Sequence, residues 1–173
     1  LIHPHFQIIS TPFVPHNVHE EIMGCYHYYQ AHKNCIYCAI IEEERKQNER
    51  VMYETEDFIV LAPYASRSPF ETWILPRKHG SNFEEISEKE TIQLANVLKM
   101  VLGRLYTKLS DPPLNFYIHT MPLAQAVHSA HKKETFHWHL VIFPRIAIWA
   151  GFEYATGIPI NPMSPEDAVK FLK

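Results

Sequence analysis

The feature that most restricts the fold is one long helical signal in the middle of the chain. Ser87 and Glu90 stand at capping-box spacing, and Leu94, Val97, Leu98, Val101, Leu102, Leu105 and Leu109 follow at intervals that line one helical face. A helix with one apolar face must be covered, and the flanking segments supply the cover. Residues 51–54 and 58–62, split by the turn-like Thr55-Glu56-Asp57, read as strands, as does 70–76 up to Pro76. Asp111-Pro112-Pro113 breaks the helix before further strand patterns over 115–120 and 136–144. Strands on both sides of one long helix give an α+β chain.

At 173 residues the chain can bury a core without disulfide staples. Its formal net charge of -3 gives no general attraction for nucleic acid or anionic membranes, so any phosphate recognition must be local. No run approaches the roughly 18 apolar residues of a membrane span. The first residues do not form a signal peptide, and three cysteines suit a reducing compartment, so the expected location is cytoplasmic. The chain starts at Leu1, two residues before its most unusual motif, which suggests a fragment.

That motif is His3-Pro4-His5-Phe6-Gln7. In an extended segment alternate side chains share a face, so His3, His5 and Gln7 form a row of two imidazoles and an amide. A neutral imidazole near pH 7 is a nucleophile that can hold a phosphoryl or nucleotidyl group covalently. The alternative is an ordinary edge strand. Residues 8–14 are apolar enough to finish that strand, with Pro12 and Pro15 marking its decay. A helix then runs to about Lys33, with Asn17 as its cap, Glu20 three residues later and Cys25 on its apolar face. Cys35-Ile36-Tyr37-Cys38 follows, and its C-x-x-C spacing fits either a redox pair or half of a tetrahedral zinc site. The strand ending at Pro76 delivers Arg77-Lys78-His79 into a loop. Residues 121–135 read as a loop with His128 and His131 in solvent, and His137-Trp138-His139 in the last strand echoes the opening motif. Ser164 and Pro165 start a final short helix.

Taken together these residues resemble the histidine-triad superfamily, whose fold is a small antiparallel sheet packed with helices. The row His3-Pro4-His5-x-Gln7 looks like the active-site motif of galactose-1-phosphate uridylyltransferases, in which Gln replaces the third His. The resemblance continues through residues 58–65, Glu71-Thr72-Trp73-Ile74-Leu75-Pro76, His137-Trp138-His139 and Gly151-Phe152-Glu153 to Asn161-Pro162. It implies that residues 1–33 end a first histidine-triad repeat and that 34–173 form a second, complete one. The implied reaction moves UMP between UDP-glucose and galactose 1-phosphate through a covalent uridylyl-histidine. By the resemblance His5 is the nucleophile, and His3 and Gln7 orient it and bind phosphate oxygens. Cys35, Cys38, His79 and His137 are the implied ligands of a structural zinc. His139, with Val141 where a third polar residue would stand, is implied to be structural or an alternative metal ligand. Glu153, with Phe152 and Asn161 beside it, is implied to reach the sugar in the partner subunit's site of a homodimer. Two other functions stay open: a nucleotide-sugar or dinucleotide phosphorylase with phosphate as acceptor, and a zinc-stapled module without catalysis.

Overall fold

A computed structural model describes residues 5–9, 11–122 and 133–173. In chain order the elements are α1 (His16–His32), α2 (Ile36–Gln47), β1 (Val51–Glu54), β2 (Phe58–Leu61), β3 (Thr72–Pro76), α3 (Glu88–Leu109), β4 (Leu114–His119), β5 (His139–Pro144), α4 (Gly151–Thr156) and α5 (Pro165–Leu172). The five strands form one sheet in the order β1-β2-β3-β5-β4, and every pairing is antiparallel. The final strand is thus inserted beside β3 and leaves β4 on the edge.

The sheet is covered on both faces. Phe58 and Val60 of β2 point into a cluster with Leu94, Val97, Val101 and Leu105 of α3, and with Ala168 and Leu172 of α5. Ile59 and Leu61, one residue out of phase, point into a second cluster with Ile22 and Cys25 of α1 and Tyr37 and Ile41 of α2. This is the period-two alternation of a strand buried on both sides, and it explains why β2 is apolar throughout. Each large apolar side chain buried this way contributes about 1.5–3 kcal/mol. The α3 start is as expected, with the Ser87 and Glu90 capping box complete on both sides. Ser164 likewise caps α5 by accepting from the Asp167 amide. No helix among the described residues is long and apolar enough to cross a membrane.

Several expectations need correction. Residues 5–9 and 11–15 form no strand; residues 5–9 are exposed, with the Phe6 ring 5.9 Å from Phe116, and Val14 packs partly buried against the second cluster. A strand exists by its hydrogen-bond ladder, and the described residues of this opening arm make none. Helix α1 begins at His16 rather than Asn17, with Pro15 before it and no side-chain cap, and Glu20 pairs instead with His19. The C-x-x-C motif opens a helix that was not anticipated, α2, with Cys35 at its N-cap and Asn48 closing it in the left-handed region that asparagine tolerates. Strand β5 starts at His139, because His137 and Trp138 lie outside the ladder, and α4 was not anticipated. His3, His128 and His131 lie outside the described residues.

The C-terminal helix is tied back through one buried cation. Arg50 Nε donates to both oxygens of Glu44 at 2.9 and 3.0 Å, Nη1 to Glu166 Oε1 at 2.7 Å, and Nη2 to Gln47 Oε1 at 2.9 Å. Removing a partner from such a pair strands a buried charge, so Arg50→Met is expected to lose about 3 kcal/mol in urea unfolding. The Arg50 hydrogen bond holds the Glu166 carboxyl below its ordinary range. That contribution is present above the ordinary carboxylate pKa and is lost as pH falls through the depressed one, so the variant's deficit shrinks in acid.

Candidate functional site

Two groups of titratable side chains meet where the run into β5 passes the helices of the second core cluster. The first joins Cys35, Cys38, His79 and His137, whose candidate donor atoms all lie within 4.8 Å of one another. Helix α2 supplies both sulfurs from its N-terminal turn, where backbone N–H groups favour thiolates. The loop after β3 supplies His79, and the approach to β5 supplies His137. Cys38 Sγ lies 3.4 Å from His79 Nδ1 and 3.6 Å from His137 Nδ1. A tetrahedral zinc with bonds of about 2.0–2.3 Å holds its donor atoms roughly 3.3–3.8 Å apart, so these separations fit one.

The outer nitrogens are also spoken for. His79 Nε2–H donates to the Lys133 carbonyl at 2.8 Å, and His137 Nε2–H to the Pro76 carbonyl at 2.9 Å. Those bonds place the ring protons on Nε2 and turn each Nδ1 lone pair toward the sulfurs, the arrangement a metal-binding histidine needs. Of the two coupled thiols, Cys35 is driven well down, first by the Cys38 hydrogen bond and further by those of His137 and His79, while Cys38 as the donor is pushed up. The Cys35 hydrogen bond raises the His79 pKa. Cys35 and His137 are buried, and His79 is exposed. Four protein donors leave no position for water, so the group suits a structural ion rather than a hydrolytic one.

The second group was not legible beforehand. Glu21 of α1 meets His119 at the end of β4 and His139 at the start of β5, again within 4.8 Å. His119 and His139 are directly opposite in the β4–β5 ladder. His139 is 1% exposed, and burial lowers its pKa to about 4, so it is neutral at pH 7. Its Nδ1–H donates to the His137 carbonyl at 3.1 Å, and Nε2 faces Glu21 Oε1 at 3.7 Å. Its ring is almost wholly covered, and it forms part of the floor of a cleft. Asn17, Arg67, Trp73, Tyr117 and Val141 complete a cleft of about 380 Å³ over this group. Phe70, in the left-handed region at φ 61°, turns the chain so that buried Glu71 accepts from the Arg67 amide at 2.6 Å and from Trp73 Nε1 at 3.0 Å.

The remaining expected residues are not gathered in one place. His5 and Gln7 lie on the exposed arm. Glu153 is buried, its Oε2 accepting from the Ala150 amide at 3.1 Å at the head of α4. Phe152 is half exposed, and Asn161 donates to the Ser66 carbonyl at 3.2 Å and accepts from the Met163 amide. Among the described residues no hydrogen bond or ring contact joins His5 or Gln7 to these three. Arg77 is used locally, pairing with Glu54 at 3.2 Å.

The family model for the galactose-1-phosphate uridyl transferase C-terminal domain matches residues 21–171. The ADP-glucose phosphorylase of Arabidopsis thaliana is 36% identical over 171 residues, 99% of this chain and 46% of that protein. The galactose-1-phosphate uridylyltransferase of Thermotoga maritima is 32% identical over 179 residues, 100% of this chain and 55% of that protein. A crystal structure of an Arabidopsis ADP-glucose phosphorylase with bound ADP-glucose superposes with a TM-score of 0.83 at 35% identity, over 94% of this chain and 50% of that one. A zinc-bound histidine triad family protein from Mycobacterium smegmatis shares the fold, with a TM-score of 0.55 at 19% identity over 80% of this chain and 89% of that one. The expected histidine-triad-like α+β sheet is thus the one observed. The chain spans about half the length of the two curated relatives it matches.

Proposed function

This chain belongs to the galactose-1-phosphate uridyl transferase family, and from that premise we propose that it takes part in nucleotidyl transfer from a nucleotide sugar through a covalent histidine. The observation that carries the reading is the sequence row His3-Pro4-His5-x-Gln7, of which His5 and Gln7 are exposed, in a chain that matches the family over nearly all its length. We read residues 1–33 as the end of one histidine-triad repeat and 34–173 as the next. In the proposed first step an imidazole nitrogen of His5 attacks the α-phosphorus of UDP-glucose. A P–N bond forms, the bond from that phosphorus to the bridging oxygen breaks, and glucose 1-phosphate leaves with the electron pair. In the second, a phosphate oxygen of galactose 1-phosphate attacks the same phosphorus, frees His5 and yields UDP-galactose. His3 orients the ring, and Gln7 donates to phosphate oxygens as charge develops on them.

Zinc held by Cys35, Cys38, His79 and His137 would supply a cross-link between α2, the loop after β3 and the run into β5. Glu153, with Phe152 and Asn161, would serve the sugar in the partner subunit's site of a homodimer. The Arabidopsis relative, at 36% identity, favours a second reading in which inorganic phosphate is the acceptor. The two share the first step and differ only in the second.

The test is to incubate the chain with UDP-glucose or ADP-glucose, quench, and measure intact mass. A nucleotidyl adduct that discharges on adding galactose 1-phosphate supports the transferase, and one that discharges only with phosphate supports the phosphorylase. Absence of an adduct with either donor leaves the zinc-stapled, non-catalytic module as the surviving reading.

A further inference from the structure

The four side chains of the cysteine and histidine group are unevenly spread over the fold. Both sulfurs come from one turn, for Cys35 is the extended N-cap of α2 and Cys38 stands three residues into the helix. The imidazoles come from other elements, and each is fixed without help from the sulfurs, His79 Nε2 on the Lys133 carbonyl and His137 Nε2 on the Pro76 carbonyl. The two sulfurs lie within 4.8 Å of one another. Side chains three apart on a helix have Cβ atoms about 5–6 Å apart and a disulfide holds them at roughly 3.8 Å, so Cys35, the member outside the helix, has about 1–2 Å to make up. Exposure also differs between the two. Cys35 is 3% exposed, whereas Cys38 is partly exposed and its neighbour His79 is exposed. A small oxidant therefore meets Cys38 first, and Cys35 stands next to it as the resolving thiol.

We propose that Cys38 and Cys35 are a peroxide-sensitive pair, joined by oxidation into a disulfide that lets the proposed zinc go and returned to a metal-binding pair by reduction. The inference rests on the zinc reading of this group and is independent of nucleotidyl transfer. With the ion bound, both sulfurs are thiolates. The Cys38 thiolate attacks one oxygen of hydrogen peroxide, the O–O bond breaks, and a sulfenic acid forms as hydroxide leaves. The Cys35 thiolate then attacks the Cys38 sulfur, the S–S bond forms, and a second hydroxide leaves. Each sulfur gives up one electron, and the peroxide takes both. Only the two imidazoles then remain as donors, too few for a closed tetrahedral site. Their bonds to the carbonyls do not depend on sulfur, so they keep their places for the ion's return, and the two apolar clusters keep the fold. A site that drew its thiolates from two distant segments would have to move the chain to close the same bond.

The test follows zinc release from the zinc-loaded 173-residue chain to a chromogenic chelator, with and without hydrogen peroxide, then blocks free thiols, digests with trypsin and measures peptide masses. Peroxide is expected to speed zinc release by about tenfold or more. Peptide 34–45, which trypsin frees by cutting after Lys33 and Arg45, is expected to resist blocking and to weigh two hydrogen atoms less than the free dithiol. Dithiothreitol with fresh zinc is expected to restore the starting metal content. Cys25→Ser should respond as the parent does, since Cys25 lies on α1 outside the group of four. Should that variant not fold, the peptide mass from the parent locates the link by itself. Zinc release unchanged by peroxide, a link to Cys25, or oxygen added to peptide 34–45 that dithiothreitol does not remove overturns the inference. A parent chain that binds no zinc before peroxide is added removes the metal reading and the switch together. A loaded chain that stays loaded in peroxide removes the switch alone.

Discussion

Cys35→Ser is expected to lower the zinc content from about one ion per chain to less than a tenth of that, and to lower the melting temperature by roughly 10 °C. The expected loss of stability is about 3–5 kcal/mol, below the roughly 10–16 kcal/mol of isolated zinc fingers, because two apolar clusters remain to hold this chain. The damage is concentrated because the proposed ion ties segments far apart: Cys38 meets His79 across 41 residues and His137 across 99. Without it, the fully buried His137 Nδ1 faces only the Cys38 sulfur. Cys25→Ser is the matched control, since Cys25 is equally buried but lies outside the group of four. Elemental analysis and thermal unfolding of both variants decide it. Full zinc in Cys35→Ser, or equal loss in Cys25→Ser, would show the ligand set to be wrong.

His5→Ala is expected to reduce nucleotidyl transfer by a factor on the order of 10⁴ or more, with no adduct in the mass spectrum. Its stability should stay within about 0.5 kcal/mol of the parent, because His5 is exposed on an arm outside the sheet. That separation makes the variant informative: a loss of activity without a loss of fold points to chemistry. Gln7→Ala should fall by about a hundredfold, as one hydrogen-bond donor to a developing oxyanion is removed. A His5→Ala chain that still carries the adduct would move the nucleophile elsewhere.

The parts of this fold that could be read in advance are those written in local signals. Helix α3 carries its own cap and an unbroken apolar stripe, and β2 and β3 are short apolar runs with turn residues at their ends. Helix α2 escaped notice because its exposed face, including Glu42, Glu43 and Lys46, resembles a solvated loop, and only Tyr37, Ile41 and Glu44 of it are buried. The opening arm was read as a strand because alternation describes a pattern, whereas pairing requires a neighbour. The group of four came from family resemblance: C-x-x-C spacing alone admitted either a redox pair or half a zinc site. Nothing local joined Glu21 to His119, 98 positions on. That contact exists because β4 and α1 meet the same end of β5.

His137 and His139 stand two positions apart, one in each of the titratable groups, where the chain enters its fourth-paired strand. A strand that slips by one residue against its neighbours exchanges its two faces, and an apolar strand buried on both sides does little to forbid it. Here a slip would separate His137 from both sulfurs and His139 from Glu21 in the same movement. The side chains that look like a binding site would therefore also proofread the assembly of the sheet, and chains refolded without metal should reach the native alignment more slowly than chains refolded with it.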